Sequence, residues 1–206
     1  NKLGLDSLHL LSPNQSCTTI SDLHPDTVKF FKKAPGFSTL RLLLSPKTIL
    51  TEGISDELIV QRAYMDKHSK LPIEDGIDII SVRSLSFKRY LEISKKLNLC
   101  TIVVTDNDGS VSDLEKKYAD YLPNGTHDKI RIFYSSDESA KTLEYHICKD
   151  NDLDTLNNIL DRNDTDINDT RHYMLTNKSE WALRVFESKT EIAMPEYVNE
   201  AIAYAK

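Results

Sequence analysis

Ile49-Leu50-Thr51-Glu52-Gly53-Ile54-Ser55-Asp56-Glu57-Leu58 reads as an apolar strand running into a helix. It delivers one carboxylate at the strand end and a second on the first helical turn. Its counterpart comes later, where Thr101-Ile102-Val103-Val104-Thr105 ends in Asp106-Asn107-Asp108-Gly109. Acids at two strand tips point first to a cation site, because hard divalent ions take carboxylate oxygens and keep open positions for water.

Outward from these stretches, hydrophobic runs alternate with amphipathic ones. Strands are expected at 48–52, 77–82, 100–105 and 130–134, with helices between them, the first starting at Ser55 and the others at 86–97 and 112–122. Ser55 is the expected N-cap of the first helix, with Leu58, Ile59, Ala63 and Met65 on its buried face. Phe87, Tyr90, Leu91 and either Ile93 or Leu97 carry the buried face of the second. Apolar strands joined through helices predict an α/β fold with a four-stranded parallel sheet covered on both faces, since right-handed crossovers place the helices there. In such sheets ligands bind beyond the carboxyl ends of the strands, where Glu52, Asp106 and Asp108 fall.

Before this core the pattern is broken: a short strand at 8–11, a turn at Pro13 and Asn14, and helices at 25–33 and 39–44 separated by Pro35-Gly36. After it the chain becomes helical, at 142–150, 153–160, 179–188 and 195–204, with a polar loop over 161–169 that reads as solvated and mobile. The expected division is a linker or tail at 1–40, a catalytic core at 41–136 and a helical part at 137–206 that completes the site.

Composition narrows the function. In 206 residues, 39% are hydrophobic and 28% charged, the profile of a folded globular chain. No apolar run approaches the ~20 residues of a membrane span and no signal peptide opens the chain, so a cytoplasmic protein is expected. The net charge of −6 argues against a nonspecific basic nucleic-acid binder, although an acidic site loaded with divalent cations can still take a phosphodiester. Cys17, Cys100 and Cys148 form no CxxC pair, which removes a disulfide framework and a thiolate zinc site; Cys100 reads as a small core residue. The six histidines show no HxH or HExxH spacing, and His68, His127 and His172 read as surface or loop residues. The chain opens on Asn1-Lys2-Leu3-Gly4-Leu5, which reads as mid-protein, so a longer polypeptide is expected.

Each acid pair has a plainer reading. Asp56 also suits a helix N-terminus, and Asp106-Asn107-Asp108-Gly109 suits a turn. Both pairs at strand ends of one sheet favour the cation site.

Glu52-Gly53-Ile54-Ser55-Asp56 followed by Thr105-Asp106-Asn107-Asp108 resembles the Toprim signature, a Glu-Gly motif and then Asp-x-Asp. That signature is shared by topoisomerases, bacterial-type primases and several nucleases. The stretch from Leu44 to Gly53, the segment Gly76-Ile77-Asp78-Ile79-Ile80-Ser81-Val82, and Lys178-Ser179-Glu180-Trp181-Ala182-Leu183 are similar to the C-terminal half of overcoming-lysogenization-defect (OLD) family nucleases. The resemblance runs over roughly residues 40–186. It implies a Toprim, Rossmann-like sheet with a C-terminal helical extension, and a DNA endonuclease acting in phage defence or DNA repair. Two Mg²⁺ or Mn²⁺ ions are implied, with Glu52 as ligand and proton acceptor and Asp106 and Asp108 as ligands of one ion. Asp56 and Glu144, the latter in Lys141-Thr142-Leu143-Glu144, would hold the second. The ammonium of Lys178 would offset charge on phosphorus. Glu144 also reads as an acid at a helix start, and Lys178 as a solvated lysine.

In that family an ABC-type ATPase domain precedes the Toprim domain, and residues 1–12 resemble its tail. No Walker A glycine–lysine loop is present in this sequence. None of the nine tyrosines sits in a recognisable DNA-gate domain, so a covalent tyrosyl intermediate is not expected. Thr105, Gly109 and Ser110 are expected to shape the metal loop. Two rivals stand beside the nuclease: a receiver or haloacid-dehalogenase type phosphoryl-transfer enzyme, and a non-catalytic Toprim docking or dimerisation module. Oligomeric state, a homo-oligomer included, and a helicase-like partner are left open by the sequence.

Overall fold

In the computed structural model, Ile49, Leu50, Ile102 and Val103 are fully buried, the burial expected of strands covered on both faces. The structure describes residues 9–11, 17–19, 23–33, 36–82, 87–124 and 126–206. The expected turn at Pro13 and Asn14, the break at Pro35, the helix start at Ser86, Gly125 and most of residues 1–12 lie outside them.

A two-stranded antiparallel ribbon, β1 (His9–Leu11) and β2 (Cys17–Thr19), precedes helices α1 (Pro25–Lys33) and α2 (Gly36–Leu44). The main sheet follows, with β3 (Lys47–Thr51), β4 (Ile77–Ser81), β5 (Cys100–Val104) and β6 (Ile130–Phe133) in the order β4-β3-β5-β6, all parallel. The crossovers are α3 (Ile54–His68), α4 (Phe87–Leu97) and α5 (Val111–Lys117). Five further helices complete the described chain: α6 (Leu143–Asp150), α7 (Leu153–Leu160), α8 (Ile167–Thr176), α9 (Lys178–Glu187) and α10 (Glu196–Ala205). The α/β architecture with a parallel four-stranded sheet and a helical extension is therefore present.

Strand alternation sorts the core. Leu50, Ile80, Val103, Ile130 and Ile132 face one side, against Phe31, Leu42, Phe87, Leu91 and Tyr118 from α1, α2, α4 and the end of α5. Ile49, Ile77, Ile79, Ile102 and Val104 face the other, against Val60, Ala63 and Tyr64 of α3 and Val198, Ala201 and Ile202 of α10. A third cluster, centred on the fully buried Trp181, joins α6 to α9 with Ile59 of α3.

Helix α3 thus lies between the sheet and the C-terminal helices, which corrects the single-face expectation. Ser55, Ile59, Val60, Arg62, Ala63 and Tyr64 are its buried residues, while Leu58 and Met65 are only partly covered. Its buried Arg62 donates to the backbone oxygens of Val185, Ser188 and Thr190 and pairs with Asp66, fastening the end of α9 to α3. At the other end of the sheet, Lys47 Nζ donates to Ala205 O at 2.6 Å, a cation on the carbonyls that close α10.

Other expectations shift. The N-cap of α3 is Gly53, not Ser55, because the helix begins two residues earlier, at Ile54. Helix α5 ends at Lys117 and the chain turns through residues 118–122. Cys100 is half-buried rather than core, at the entry of β5 opposite Lys47. The polar stretch 161–169 is ordered: Asp164 accepts both Arg162 nitrogens at 2.7 Å and the Thr170 hydroxyl at 2.9 Å. Asp166 caps α8, a helix the sequence reading omitted. Among the described residues no helix is long and apolar enough to cross a membrane.

Candidate metal centre

The pairing of Leu50 with Val103 places the ends of β3 and β5 side by side. Glu52 follows β3 directly, and Thr105 and Asp106 follow β5. The Thr105 hydroxyl donates to Glu52 Oε1 at 2.6 Å, which ties the two strand tips together. Asp56, on the first turn of α3, takes the backbone N–H of Gly53 on Oδ2 at 3.1 Å. A Cβ at position 53 would stand 3.3 Å from that same oxygen, so glycine keeps the approach open.

The helical part brings two more groups. Thr142 precedes α6, which puts Glu144 in the first turn, 2% exposed, with the Thr142 hydroxyl donating to its Oε2 at 2.6 Å. Lys178 opens α9 and sets Nζ 3.8 Å from Glu144 Oε1, with more than half of its own side chain in solvent. Glu52, Gly53, Ser55, Asp56, Asp106, Glu144 and Lys178 line one cavity of about 260 Å³.

Five of the six residues singled out from the sequence therefore meet, supplied by two strand tips and three helices. Asp108 does not line the cavity. It is exposed, at φ 52, and its N–H is held by Lys141 O at 3.2 Å, although its charge still reaches Glu52 and Asp106. The loop that carries it is fixed by Asn107, whose amide donates at 2.9 Å to the carbonyl oxygens of Ser135 and Asp137 and accepts from Gly109 N. Gly109 takes φ +84, the left-handed region open to glycine. Ser110 then caps α5 through Asp113 N.

The electrostatics are those of acids crowded without enough positive charge. Burial, then the charges of Glu52 and Glu144, raises the Asp56 carboxyl from 3.8 to about 7. Asp106 is pushed well above the usual range by burial and then by Asp56, Glu52 and Glu144. Burial raises Glu52 as well, against the lowering effect of the Thr105 hydrogen bond. Such a set holds protons or binds a cation. This donor chemistry fits hard divalent ions, but the side chains are not drawn together: among the described residues no group of three or more His, Cys, Asp or Glu is arranged to hold a metal.

Two tyrosines adjoin these acids that sequence reasoning did not single out. Tyr197, 5% exposed, packs edge-on to His146 and is held far above the usual phenol value by burial and then by Asp106, Asp56, Glu144 and Glu52. Tyr118 is completely buried and raised likewise by burial, Glu52 and Asp108. Both stay protonated, which disfavours either as a nucleophile. No local pattern marks them, since each lies on a helix or turn remote in sequence from the acids it meets. Of the histidines, His172 is exposed and His127 is partly covered, whereas His68 packs on Tyr64 with Nε2 buried.

The family model described as overcoming lysogenization defect protein-like, TOPRIM domain, matches residues 43–108, which span the Glu-Gly and Asp-x-Asp motifs. No curated protein matches the chain. Among solved structures, the C-terminal region of the Xanthomonas campestris pv. campestris OLD protein is similar in fold. Its platinum-phased structure gives a TM-score of 0.53 at 18% identity, covering 80% of this chain and 94% of that one. The iodine-phased structure gives 0.50 at 18% identity, covering 79% and 94%. Residues 43–108 of this chain thus match the OLD-like TOPRIM domain model, and the chain is similar in fold to the C-terminal region of an OLD protein.

Proposed function

We propose that this chain is a divalent-metal-dependent endonuclease module that hydrolyses DNA phosphodiesters at the cavity between β3, β5, α3, α6 and α9. The observation that carries the proposal is the gathering of Glu52, Asp56, Asp106, Glu144 and Lys178 around one cavity at the carboxyl ends of a parallel sheet. Glu52, Asp56, Asp106 and Glu144 would hold one or two Mg²⁺ or Mn²⁺ ions, with Asp108 joining once its side chain turns inward. Two such ions, when bound, neutralise charge on the attacking and departing oxygens of an in-line displacement. Glu52, steadied by Thr105, accepts a proton from the incoming water. Asp56 and Asp106, whose carboxyls are raised above the usual range without a cation, would ionise on holding one. Lys178, more than half exposed and with Nζ 3.8 Å from Glu144, would meet a non-bridging phosphate oxygen.

As the resemblance to the OLD family implies, an ABC-type ATPase domain would precede the module in a longer protein. Phage defence or DNA repair is the setting proposed. Nicking of supercoiled plasmid with Mg²⁺ or Mn²⁺ tests the reading. Wild type is expected to convert supercoiled to open-circular DNA, and Asp106→Ala to lose this by a factor of at least about 100, the scale of a lost charge-stabilising group. Equal cutting by the two removes the site assignment.

One observation favours a second reading, a Toprim module used for docking rather than catalysis: the carboxylates are not drawn together for a metal. Absence of Mn²⁺ binding at millimolar concentration would select it.

A further inference from the structure

Lys141 stands where two parts of the acid set meet. Its carbonyl oxygen accepts the Asp108 N–H at 3.2 Å, and one residue further on the Thr142 hydroxyl holds Glu144 Oε2 at 2.6 Å. The lysine stem lies on the turn that follows Asp106 instead of leaving it. A Cβ at position 109 would stand 3.2 Å from Lys141 Cδ and Cε and 3.3 Å from its Cγ, so Gly109 makes the ledge that the stem occupies. Both sides of this contact are anchored. The Asn107 amide donates at 2.9 Å to the carbonyl oxygens of Ser135 and Asp137, and Val111 N donates to Glu138 Oε1 at 2.9 Å, which pins residues 135–141 to the loop.

The residue is exposed, and among the described residues its ammonium makes no ion pair. An ordinary surface lysine is solvated along its length and loses much side-chain freedom when it meets an anion. Lys141 has three of its methylenes already laid against the loop, so less freedom is left to lose. The cavity needs such a group. Glu52, Asp56, Asp106 and Glu144 line it against one lysine, Lys178, and a polyanion crossing that mouth meets net repulsion unless further cations flank it.

We propose that Lys141 is a positioning residue for the DNA strand: its ammonium binds a backbone phosphate adjoining the one that Lys178 meets, on the side of the cavity formed by the Asp106–Gly109 turn. The contact is to phosphate oxygens, so it aligns the strand without reading its sequence. The inference rests on reading the cavity as a site that takes DNA.

The test is fluorescence anisotropy of a labelled duplex with the full chain, in Ca²⁺ in place of Mg²⁺, over a series of salt concentrations. Wild type, Lys141→Gln, Lys141→Arg and Lys95→Gln are compared; Lys95 is exposed on the last turn of α4, which leads into the opposite end of β5. Lys141→Gln is expected to bind DNA several-fold more weakly, with the slope of log affinity against log salt reduced in magnitude by about one, the signature of one lost phosphate contact. Its melting temperature and its calorimetric Mn²⁺ affinity should match wild type, Lys141→Arg should restore the slope, and Lys95→Gln should leave it unchanged. In plasmid nicking with Mg²⁺, Lys141→Gln should raise KM and leave kcat near wild type. A wild type that binds no DNA overturns the nuclease reading itself and this inference with it. Wild-type binding with an unchanged slope in Lys141→Gln, or an equal change in Lys95→Gln, overturns only the role of Lys141. A lower melting temperature or weaker Mn²⁺ binding in Lys141→Gln, or failure of Lys141→Arg to restore the slope, shows that the residue serves the loop and not the strand, and likewise overturns that role.

Discussion

Replacing Asp56 with asparagine should stabilise the metal-free protein at alkaline pH while weakening it as a cation binder. In the unfolded chain the Asp56 carboxyl titrates near 3.8; in the folded chain burial, Glu52 and Glu144 raise it to about 7. Because the folded value is the higher one, the stability linked to this proton is fully present below about pH 4 and is lost as pH rises through 7. The rise from 3.8 to about 7 corresponds to an upper bound of ~4 kcal/mol of strain at pH 8. Asparagine keeps an oxygen for the Gly53 N–H and carries no charge. Asp56→Asn in chelator should therefore melt well above wild type at pH 8, by up to roughly ten degrees at ~2–4 °C per kcal/mol. The gap should narrow toward pH 4. Asp106 and Glu52 are raised too, so the variant's own pH slope shrinks without disappearing. With saturating Mn²⁺ the order should reverse, since only wild type has the full ligand set. Thermal melts from pH 4 to 8, with and without metal, read all of this. An Asp56→Asn variant less stable than wild type at pH 8 in chelator, or one with a parallel pH profile, would refute the repulsion argument.

Asp108 lies outside the cavity and Asp106 lines it. Asp108→Ala should thus weaken Mn²⁺ binding several-fold less than Asp106→Ala, as measured calorimetrically; the reverse order would show that Asp108 is the principal ligand. Arg62→Met should cost about 3 kcal/mol in urea unfolding, because the carbonyls of Val185, Ser188 and Thr190 lose their donor. The same variant should also weaken Mn²⁺ binding if the α3–α9 attachment positions Lys178 and Asp56.

The strands were legible because each is a short apolar run fully covered in the sheet, and all four begin and end within one residue of expectation. Glu52, Asp56 and Asp106 were legible for the same reason: a strand end fixes where the next residue goes. Helix α8 was hidden because only Thr170 and Met174 of its residues are buried, and its acids and asparagines act as caps and ion-pair partners rather than as a periodic apolar face. The two-sided burial of α3 was hidden too. Its buried Ser55 and Arg62 break the apolar pattern, and the second side exists only because α9 returns to cover it. The outward turn of Asp108 follows from backbone bonds to Lys141 and from the Asn107 clamp, which local spacing does not encode. Tyr118 and Tyr197 meet the acids only through tertiary packing.

The central claim, that Glu52, Asp56, Asp106 and Glu144 form a divalent-cation site, is tested most directly by anomalous scattering from crystals of this chain grown with Mn²⁺. The account predicts at least one manganese peak in the cavity between the tips of β3 and β5, within ~2.0–2.6 Å of carboxylate oxygens of Glu52 and Asp106. A cavity without a peak at saturating Mn²⁺, or manganese bound only elsewhere on the molecule, would contradict it.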